Sequence, residues 1–430
     1  MKTTEAIKLL RQYESRNVTF LEADGSWPIV WERAKGVHVW DADGKKYLDL
    51  TAAFGVAAAG HANPHVVKAG QQQMGKLLHA MGDVHPHALK AQLARELSRL
   101  TFERWSGGER TGKTIFCNSG FEAVEAALKT AMITGGKYGV IAFNGAYHGL
   151  GYGALNVTHR DHFKSPFRLQ LREFANFVPF PTKPSDLAVV ETLIGRLFQR
   201  GRVGAILVEP MQARGGINVP PPGFLPLLRK LCDRHGALLI LDEIYTGFGR
   251  TGKWFACEHS NVVPDLICLG KALTGGFPLS ACVGRADLMD AAWPASTGEA
   301  IHTSTFLGHP VGCAMALAQI AEIKKLKLPA RSAQLGEYLL KLLAEKIPGR
   351  SYRVTVRGAG LMVGVELRRT DGQPATAEAL RAIKAMLHRG YIMLPEGEHS
   401  HVISFTPPLT ITQAQLAQTV QELKKVLAAE

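Results

Sequence analysis

The chain has 430 residues, of which 46% are hydrophobic and 20% are charged, and its formal net charge is +13. This length predicts a large domain joined to a smaller one, and the composition is that of a soluble globular protein. No stretch reaches the roughly 18 uninterrupted apolar residues of a membrane span, so we expect no membrane association. The 50 Lys and Arg residues are spread over the whole chain without a basic run, which argues against a nucleic-acid partner.

The six cysteines point to a reducing compartment. They include neither a CxxC pair nor the spacing of metal ligands, and most lie in apolar runs. Reduced, buried thiols are typical of cytoplasmic proteins. The first 20 residues also lack the apolar core of a secretory signal. The sequence therefore predicts a cytoplasmic protein without a metal site.

The first two thirds of the chain predict a hairpin followed by a layered α/β region. Residues 37–50 (VHVWDADGKKYLDL) alternate apolar and polar around Asp43-Gly44, a pair typical of hairpin turns. From about residue 90, helical stretches alternate with short apolar strands, which indicates a buried, mostly parallel sheet covered on both faces. The predicted strands are Thr114–Cys117, Gly139–Phe143, Val203–Val208, Ala237–Leu241, Leu266–Leu269 and Ser280–Val283, and the predicted helices include Phe121–Thr134 and Gly223–His235.

The C-terminal part predicts a second, smaller α/β unit. Leu317–Ala344 has the pattern of a long helix that breaks near Leu328-Pro329. A further set follows, with strands at Gly360–Glu366 and Val402–Phe405 and helices at Thr376–Arg389 and Thr412–Ala429. We predict that residues 1–60 join the small domain, that residues 61–325 form the large domain, and that residues 326–430 complete the small domain.

Two glycine-rich stretches match nucleotide-binding patterns in the wrong context. Gly107–Thr114 (GGERTGKT) fits the P-loop expression, but a predicted helix precedes it and a strand follows, the reverse of a working P-loop. Gly247–Gly252 (GFGRTG) fits GxGxxG, but no crossover helix follows it. A P-loop nucleotide-binding protein is therefore kept only as an alternative.

Four groups of residues follow predicted strands directly, at the sheet edge where open α/β folds bind ligands. Asn118–Ala123 opens a helix, whose N-terminal N–H groups can bind a phosphate. Tyr147-His148 offers an aromatic ring, Asp242 ends an apolar strand, and Lys271 follows another. Pyridoxal 5'-phosphate (PLP) needs a lysine, a carboxylate for its pyridine nitrogen, phosphate-binding amides and a stacking ring. The pattern therefore indicates PLP as the cofactor.

The chain resembles the class III aminotransferases, which have PLP fold type I, over essentially its whole length. The matching words are WDADGKKYLDL, GH-x-x-P, CNSG-x-EA, FNGAYHG, VEPMQ, LDEI-x-TGFGRTG, LGKAL-x-GG-x-P and STF-x-G-x-P. The resemblance implies an α/β fold in which a large domain, with a mostly parallel seven-stranded sheet flanked by helices, joins a smaller α/β domain. It also implies transfer of an amino group from an amino acid or amine donor to a keto acceptor by a ping-pong Schiff-base cycle.

The resemblance implies roles for the residues around the cofactor ring. Lys271 is the Schiff-base lysine and carries the proton, and Asp242 pairs with the pyridine nitrogen. Ile244 packs behind the ring, while Tyr147 stacks on the opposite face with His148 beside it.

The resemblance also implies a shared site in a homodimer. Ser119, Gly120 and Phe121 hold the phosphate from one subunit, and Thr305 reaches the phosphate bound by the neighbouring subunit. An amino-acid racemase or 2-epimerase on the same scaffold is the nearest alternative function, because it would use the same cofactor residues. It would also need a proton donor on the second face of the cofactor.

On the substrate side the resemblance is weaker. It assigns Glu209 to the cofactor hydroxyl, Gln212 to the substrate side and Phe54 to the wall of the substrate pocket. Relatives that bind amino acids grip the substrate carboxylates with arginines, but Ser404 and Leu150 stand at two of those positions here.

Loss of a bidentate arginine removes several kcal/mol of carboxylate recognition. Arg214, in QARGG, is the nearest cation without an assigned role, either as a replacement or as a solvated loop residue. Tyr245 stands where many relatives have glutamine. The neighbouring residues are otherwise apolar, which favours a hydrophobic amine or amino acid as substrate.

Overall fold

The computed structural model of the protein describes residues 1–22, 27–345 and 352–429. The strands in these ranges are β1 (Trp31–Lys35), β2 (His38–Asp41), β3 (Lys46–Asp49), β4 (Gly112–Cys117), β5 (Gly139–Phe143), β6 (Ala175–Val178), β7 (Val203–Val208), β8 (Leu238–Asp242), β9 (Leu266–Leu269), β10 (Ser280–Arg285), β11 (Tyr352–Ala359), β12 (Met362–Arg369), β13 (Tyr391–Ile392), β14 (Leu394–Glu396) and β15 (Val402–Phe405).

The helices in the same ranges are α1 (Thr3–Tyr13), α2 (Ala52–Gly55), α3 (Pro64–Lys76), α4 (Ala88–Leu100), α5 (Phe102–Trp105), α6 (Gly120–Gly135), α7 (Tyr152–Val157), α8 (Asp161–Lys164), α9 (Leu187–Gln199), α10 (Phe224–His235), α11 (Ala286–Ala292), α12 (Pro310–Lys325), α13 (Leu328–Ala344), α14 (Thr376–His388) and α15 (Gln413–Ala429).

The large sheet has seven strands in the order β4-β10-β9-β8-β7-β5-β6. Neighbours from β9 to β6 pair in parallel, whereas β10 is antiparallel to both β9 and β4. Six strands therefore point the same way, and their carboxyl ends share one edge of the sheet. This confirms the predicted mostly parallel sheet of seven strands.

Alternating side chains bury this sheet on both faces. In β7, where every residue is buried, Ala205 and Leu207 pack in the cluster that contains α6. Ile206 and Val208 pack in the larger cluster, which contains α9 and α10. Each large aliphatic side chain buried in this way contributes about 1.5–3 kcal/mol. Burial on both faces explains why these strands are apolar throughout.

Two smaller sheets come from the two ends of the chain. The predicted hairpin is present as β2 and β3, with Trp40 opposite Lys46, and β13 joins β3 in parallel. The other sheet has the order β11-β12-β15-β14. Its β12 begins at Met362 rather than Gly360, because Gly360 and Leu361 form the turn of the β11–β12 hairpin.

Some predicted elements differ from the structure in extent. The long helix predicted for Leu317–Ala344 is two helices, α12 and α13, with Lys327 at a φ of 50° between them. Pro329 lies in the first turn of α13, where its missing N–H costs no hydrogen bond. The short edge strand β6 was not predicted. No helix in the described ranges is long and apolar enough to cross a membrane.

Candidate active site

Five strands of the large sheet lead into one cavity at their carboxyl ends. Its volume is about 360 Å³, within the usual size of a cofactor site. The lining includes most of the predicted cofactor residues, which are Gly120, Phe121, Tyr147, His148, Glu209, Asp242, Ile244 and Lys271. Sequence positions from 120 to 271 therefore meet in one cavity.

Asp242, the last residue of β8, is a buried carboxylate with both oxygens bonded. Its Oδ2 lies 2.7 Å from Nδ1 of His148, and its Oδ1 accepts the backbone N–H of Ile244 at 3.1 Å. A carboxylate oxygen accepts hydrogen bonds, so this contact uses Nδ1 of His148 as the donor. The Nε2 atom of His148 is buried without a hydrogen-bond partner. This contact fixes both the ring of His148 and the direction of Asp242.

The adjacent Glu243 points away from the cavity. Its carboxylate accepts the backbone N–H groups of Ala256 and Cys257 at 2.9 and 2.8 Å. Burial raises the pKa of Glu243 to about 7. In the Asp-Glu pair, therefore, Asp242 faces the cavity and Glu243 anchors the loop that follows β8.

Lys271 lies two residues beyond the end of β9, with a φ of 25°. Its Nζ is 4.6 Å from the centroid of the Tyr245 ring, so the side chain lies over an aromatic face. Burial lowers the pKa of Lys271, while the carboxylates of Asp242 and Glu209 oppose that shift. A larger fraction of the amine is therefore neutral, the form that can accept a proton or attack a carbonyl carbon.

The start of α6 has the features of a phosphate site. The N–H groups of Asn118 and Ser119 donate to the carboxylate of Glu122 at 2.6 and 2.9 Å, which fixes the turn before the helix. The first N–H groups of a helix have no partner within it and can bind an anion. A Cβ on Gly120 would lie 3.0 Å from Cδ1 of Ile244, so glycine allows the helix to approach β8 this closely.

Tyr147 is held beside the cavity by its backbone. Its N–H donates to Oε1 of Glu209 at 3.0 Å, and the N–H of Ala213 donates to Oε2 at 3.1 Å. Burial raises the pKa of Glu209 to about 7. A Cβ on Gly149 would lie 2.3 Å from Cβ of Phe121, so the Tyr147 loop packs directly against the start of α6.

Four of the predicted residues are not among those that line this cavity in the single chain. Ser119 directly precedes Gly120 at the start of α6. Gln212 is buried, and its amide donates to the carbonyl of Asn144 at 2.7 Å and accepts from Asn218 at 2.9 Å. These contacts tie two loops together and leave its assignment to the substrate without support. Thr305 is exposed in the loop before α12. Phe54 is 51% exposed and lines a neighbouring cavity.

Arg214 forms an ion pair that was not predicted. Its Nη1 lies 3.4 Å from Oε2 of Glu396, whose side chain is almost fully buried. Burial raises the pKa of Glu396 to about 7, and Arg214 and Arg160 act against that shift. Arg160 donates to the carbonyl of Arg214 at 2.8 Å. No local motif marks Glu396, since it lies 182 residues from its partner.

The two positions without the expected arginine have different surroundings. Ser404 lies in the middle of a buried strand, and its Oγ donates to the carbonyl of Leu394 at 3.0 Å. Leu150 lines the cofactor cavity and is 48% exposed. Among the residues that line this cavity, Arg214 is the arginine.

The residues around the cavity fit PLP. A buried carboxylate, a lysine of lowered pKa and an aromatic side chain line the same space, and α6 begins at its edge. A hydrogen bond from His148 holds the carboxylate of Asp242 in place. Residues that contact a ligand are commonly fixed by such supporting hydrogen bonds. These groups can therefore bind the three reactive parts of PLP, which are its pyridine nitrogen, its aldehyde carbon and its phosphate.

Comparisons with known proteins agree with this geometry. The family described as "Aminotransferase class-III" matches residues 20–427. The acetylornithine aminotransferase of Methanosarcina mazei is 38% identical over 94% of this chain and 93% of its own length.

Solved structures of transaminases superpose over nearly the whole chain. An (S)-enantioselective omega-transaminase from Thermomicrobium roseum has a TM-score of 0.90 at 27% identity, with 100% of this chain and 99% of that chain covered. A PLP-bound amine transaminase from an uncultivated Pseudomonas species has a TM-score of 0.86 at 28% identity, with 97% and 98% covered.

Proposed function

The chain belongs to the class III aminotransferase family, and on this basis we propose that Lys271, Asp242 and Tyr147 are the catalytic residues of a PLP-dependent aminotransferase. The family membership establishes the reaction type and the cofactor. The observation that carries the residue assignment is the register of β8 and β9, which pairs Asp242 with Cys268, three residues before Lys271. The carboxylate and the amine thereby reach the same cavity from adjacent strands.

PLP, when bound, links covalently to an amine and withdraws electrons from the adjacent carbon. Lys271 holds the cofactor before the donor arrives, and then moves the proton from the donor carbon. The lowered pKa of Lys271 suits both tasks, because each requires the neutral amine. The aromatic face of Tyr245 beneath Nζ limits the directions in which the amine can move.

Asp242 keeps the pyridine nitrogen protonated by its negative charge. His148 and the N–H of Ile244 hold the carboxylate in place, so that little reorganisation is needed during the reaction. Tyr147 and Ile244 line the same cavity and would hold the two faces of the PLP ring.

Ser119, Gly120 and Phe121 bind the phosphate through the N-terminus of α6. An anion at this position is stabilised by free N–H groups and by the helix dipole. Glu209, whose pKa is raised by burial to about 7, would lie near the hydroxyl of bound PLP.

Arg214 binds the substrate carboxylate. It takes the role of the family's two arginines, whose positions are occupied here by Ser404 and Leu150. Its guanidinium lies 5.8 Å from the centroid of the Tyr147 ring and borders the cofactor cavity. Phe54 contributes to the apolar wall beyond it. Donors are therefore amino acids or amines with apolar side chains, and keto acids are the acceptors.

A homodimer with shared sites is supported by an exposed apolar surface next to Thr305. Leu78 and Val84 are 59% and 61% exposed, and Phe306 is 54% exposed. The two loops that carry them are joined by the hydrogen bond from Thr303 to Asp83, at 2.7 Å. A second copy would cover this surface and bring Thr305 to the neighbouring phosphate.

Sedimentation velocity tests the homodimer. Val84→Lys should shift the protein towards monomer and lower its PLP occupancy, because the charge would be buried in the interface. Val189→Lys, at a position on α9 that is 56% exposed, serves as the matched control and should leave the dimer intact. A wild-type protein that sediments as a monomer would contradict the shared site.

The domain division and the compartment also belong to this proposal. Pairing of Tyr391 with Leu48 links the two ends of the chain, which supports residues 1–60 and 326–430 as parts of one small domain beside the large domain of 61–325. All six cysteines are free and buried, which supports a reducing compartment such as the cytoplasm.

The half-reaction with donor alone tests the function. Without an acceptor, the holoenzyme should release about one keto or aldehyde product per subunit and then stop, as expected of a ping-pong enzyme. Addition of a keto acid should restart turnover. Racemisation of an amino acid without any keto product would contradict the proposal.

A further inference from the structure

The turn that follows Arg214 has a strained backbone. Gly216 and Ile217 have φ angles of 116° and 53°, both in the left-handed region. Glycine adopts such angles freely, but the branched side chain of isoleucine crowds the backbone there. Ile217 is also fully buried. A strained conformation of this kind persists only where the surrounding contacts hold it.

Arg357, on β11, supplies such contacts. Its Nε donates to the carbonyl of Ile217 at 2.9 Å, and its Nη2 donates to the carbonyl of Gly216 at 2.6 Å. The same Nη2 donates to Oδ1 of Asn218 at 3.3 Å. One guanidinium thus bonds three consecutive residues of the turn, a task that suits its planar and rigid set of N–H donors.

The guanidinium of Arg357 is itself fixed by a carboxylate. Its Nη1 donates to Oε2 of Glu366, on the neighbouring strand β12. The other oxygen of Glu366 accepts from Arg368 at 2.6 Å and lies 3.1 Å from Nε2 of His401. The hydrogen bond with His401 and the charge of Arg357 hold the pKa of Glu366 well below its usual range. The carboxylate is therefore ionised near neutral pH, and Arg357 keeps its charged partner there.

The turn connects the large sheet with the C-terminal sheet. At its base, beyond the end of β7, Gln212 and Asn218 exchange backbone hydrogen bonds at 3.0 and 2.9 Å. On its other side lies Arg357, in the sheet of order β11-β12-β15-β14. The N–H of Gly397, just after β14, donates to the carbonyl of Arg214 at 3.2 Å. The place of Arg214 therefore depends on how the C-terminal sheet holds this turn.

We propose that Arg357 is a positioning residue for recognition of the substrate carboxylate. It holds the turn after Arg214 against the C-terminal sheet and so keeps the guanidinium of Arg214 at the cofactor cavity. Within the described ranges, Arg357 is not among the residues that line that cavity, so it acts on the substrate through the turn. The inference rests on the proposed function, because it requires Arg214 to bind the carboxylate.

Arg357→Lys tests the inference with two matched donors, leucine and 3-methylbutylamine, which is leucine without its carboxylate. Lysine keeps a charge beside Glu366 but lacks the planar fork that bonds the turn. KM for leucine should rise about tenfold, because a charge-assisted contact is misplaced, while KM for the amine and kcat for both donors should stay within about twofold. Arg353→Lys, at an exposed position on the same strand, is the control and should leave both donors unchanged.

A binding measurement gives a readout that does not depend on turnover. The probe is 4-methylpentanoate, which is leucine without its amino group, titrated calorimetrically into the holoenzyme. Its Kd should also rise about tenfold in Arg357→Lys. Glu366→Gln, which keeps the size of the side chain but not its charge, should raise the same Kd by about threefold, because Arg357 is then held less firmly.

The outcomes separate this inference from the proposed function. In an Arg214→Ala background, addition of Arg357→Lys should change neither KM further. Equal changes for leucine and the amine, or an unchanged Kd for 4-methylpentanoate, would overturn the inference and make Arg357 a structural residue. Failure of the proposed function would instead appear as an Arg214→Ala variant that affects both donors alike, or as a holoenzyme that converts no donor.

Discussion

The proposed cofactor side and the proposed substrate side of this cavity are built in different ways. On the cofactor side, Asp242 ends β8 and Lys271 follows β9 by two residues, so the sheet itself positions them. On the substrate side, Arg214 meets Glu396 across 182 residues of chain. Phe54 comes from a third segment, near the N-terminus.

The positions of the residues on the cofactor side follow from the fold of the sheet, whereas those on the substrate side follow from the packing of distant segments. Strand register brings the ends of β8 and β9 side by side, and with them Asp242 and Lys271, which line the same cavity. The surroundings of Arg214 depend on how β14 and the N-terminal segment pack against the large sheet. We therefore expect substitutions on the cofactor side to abolish the chemical step, and substitutions on the substrate side to change the choice of donor.

The largest effect is expected for Lys271→Ala. Turnover should fall by several orders of magnitude, because no other amine lines the cofactor cavity in the described part of the chain. Some PLP should remain bound through the phosphate and ring contacts. Single-turnover rates and cofactor content measure both effects. Lys253→Ala, at an exposed position in the loop after β8, is the control and should keep full activity.

Asp242→Asn should be the next most severe change. The amide can still meet His148, but it carries no charge to keep the pyridine nitrogen protonated. Cofactor should bind, while kcat should fall by more than about tenfold. Stopped-flow measurement of the half-reaction isolates this step. A smaller loss would mean that Asp242 supports the fold rather than the chemistry. Asp290→Asn, exposed on α11, is the matched control.

On the substrate side, Arg214→Ala should act selectively. KM for donors with a carboxylate should rise by about ten- to a hundredfold, through loss of one charge-assisted contact. Amines without a carboxylate should keep their KM. A uniform loss for both kinds of donor would make Arg214 a structural residue. Arg369→Ala, half exposed on β12, provides the comparison.

The smallest effect is expected from Glu396, and it depends on pH. Burial raises the pKa of Glu396 to about 7, so the carboxyl is mostly protonated below that pH and ionised above it. Only the ionised form competes strongly for Arg214. The ratio of KM for a carboxylate donor to KM for a plain amine should therefore rise by about two- to fivefold as the pH increases through this range.

Glu396→Gln removes the titrating group and should make that ratio independent of pH, at its low-pH value. If the ratio still rose in the variant, another group, such as Glu209 with its own pKa of about 7, would be responsible.

The same contrast explains which parts of the molecule the sequence could predict. Apolar strands followed by polar residues mark Asp242, Tyr147 and Lys271, because the signal for each lies within a few residues of it. The sequence pointed to Asp242 but could not tell that the adjacent Glu243 anchors a loop. That distinction arises from side-chain direction at the end of β8.

Predictions stayed open where distant segments meet. Gln212 was expected near the substrate, yet its amide is used by Asn144 and Asn218. Glu396 carried no signal, because its importance comes only from its contact with Arg214. Long-range packing of this kind leaves no periodic or local pattern in a single sequence.

Borohydride reduction followed by peptide mapping tests the central claim most directly. The holoenzyme is reduced, digested and searched for the peptide that carries the pyridoxyl group. The account predicts a single adduct on Lys271, in the peptide that contains DLICLGK, with none on Lys253. An adduct on any other lysine would contradict the assignment of the cofactor to the ends of β8 and β9.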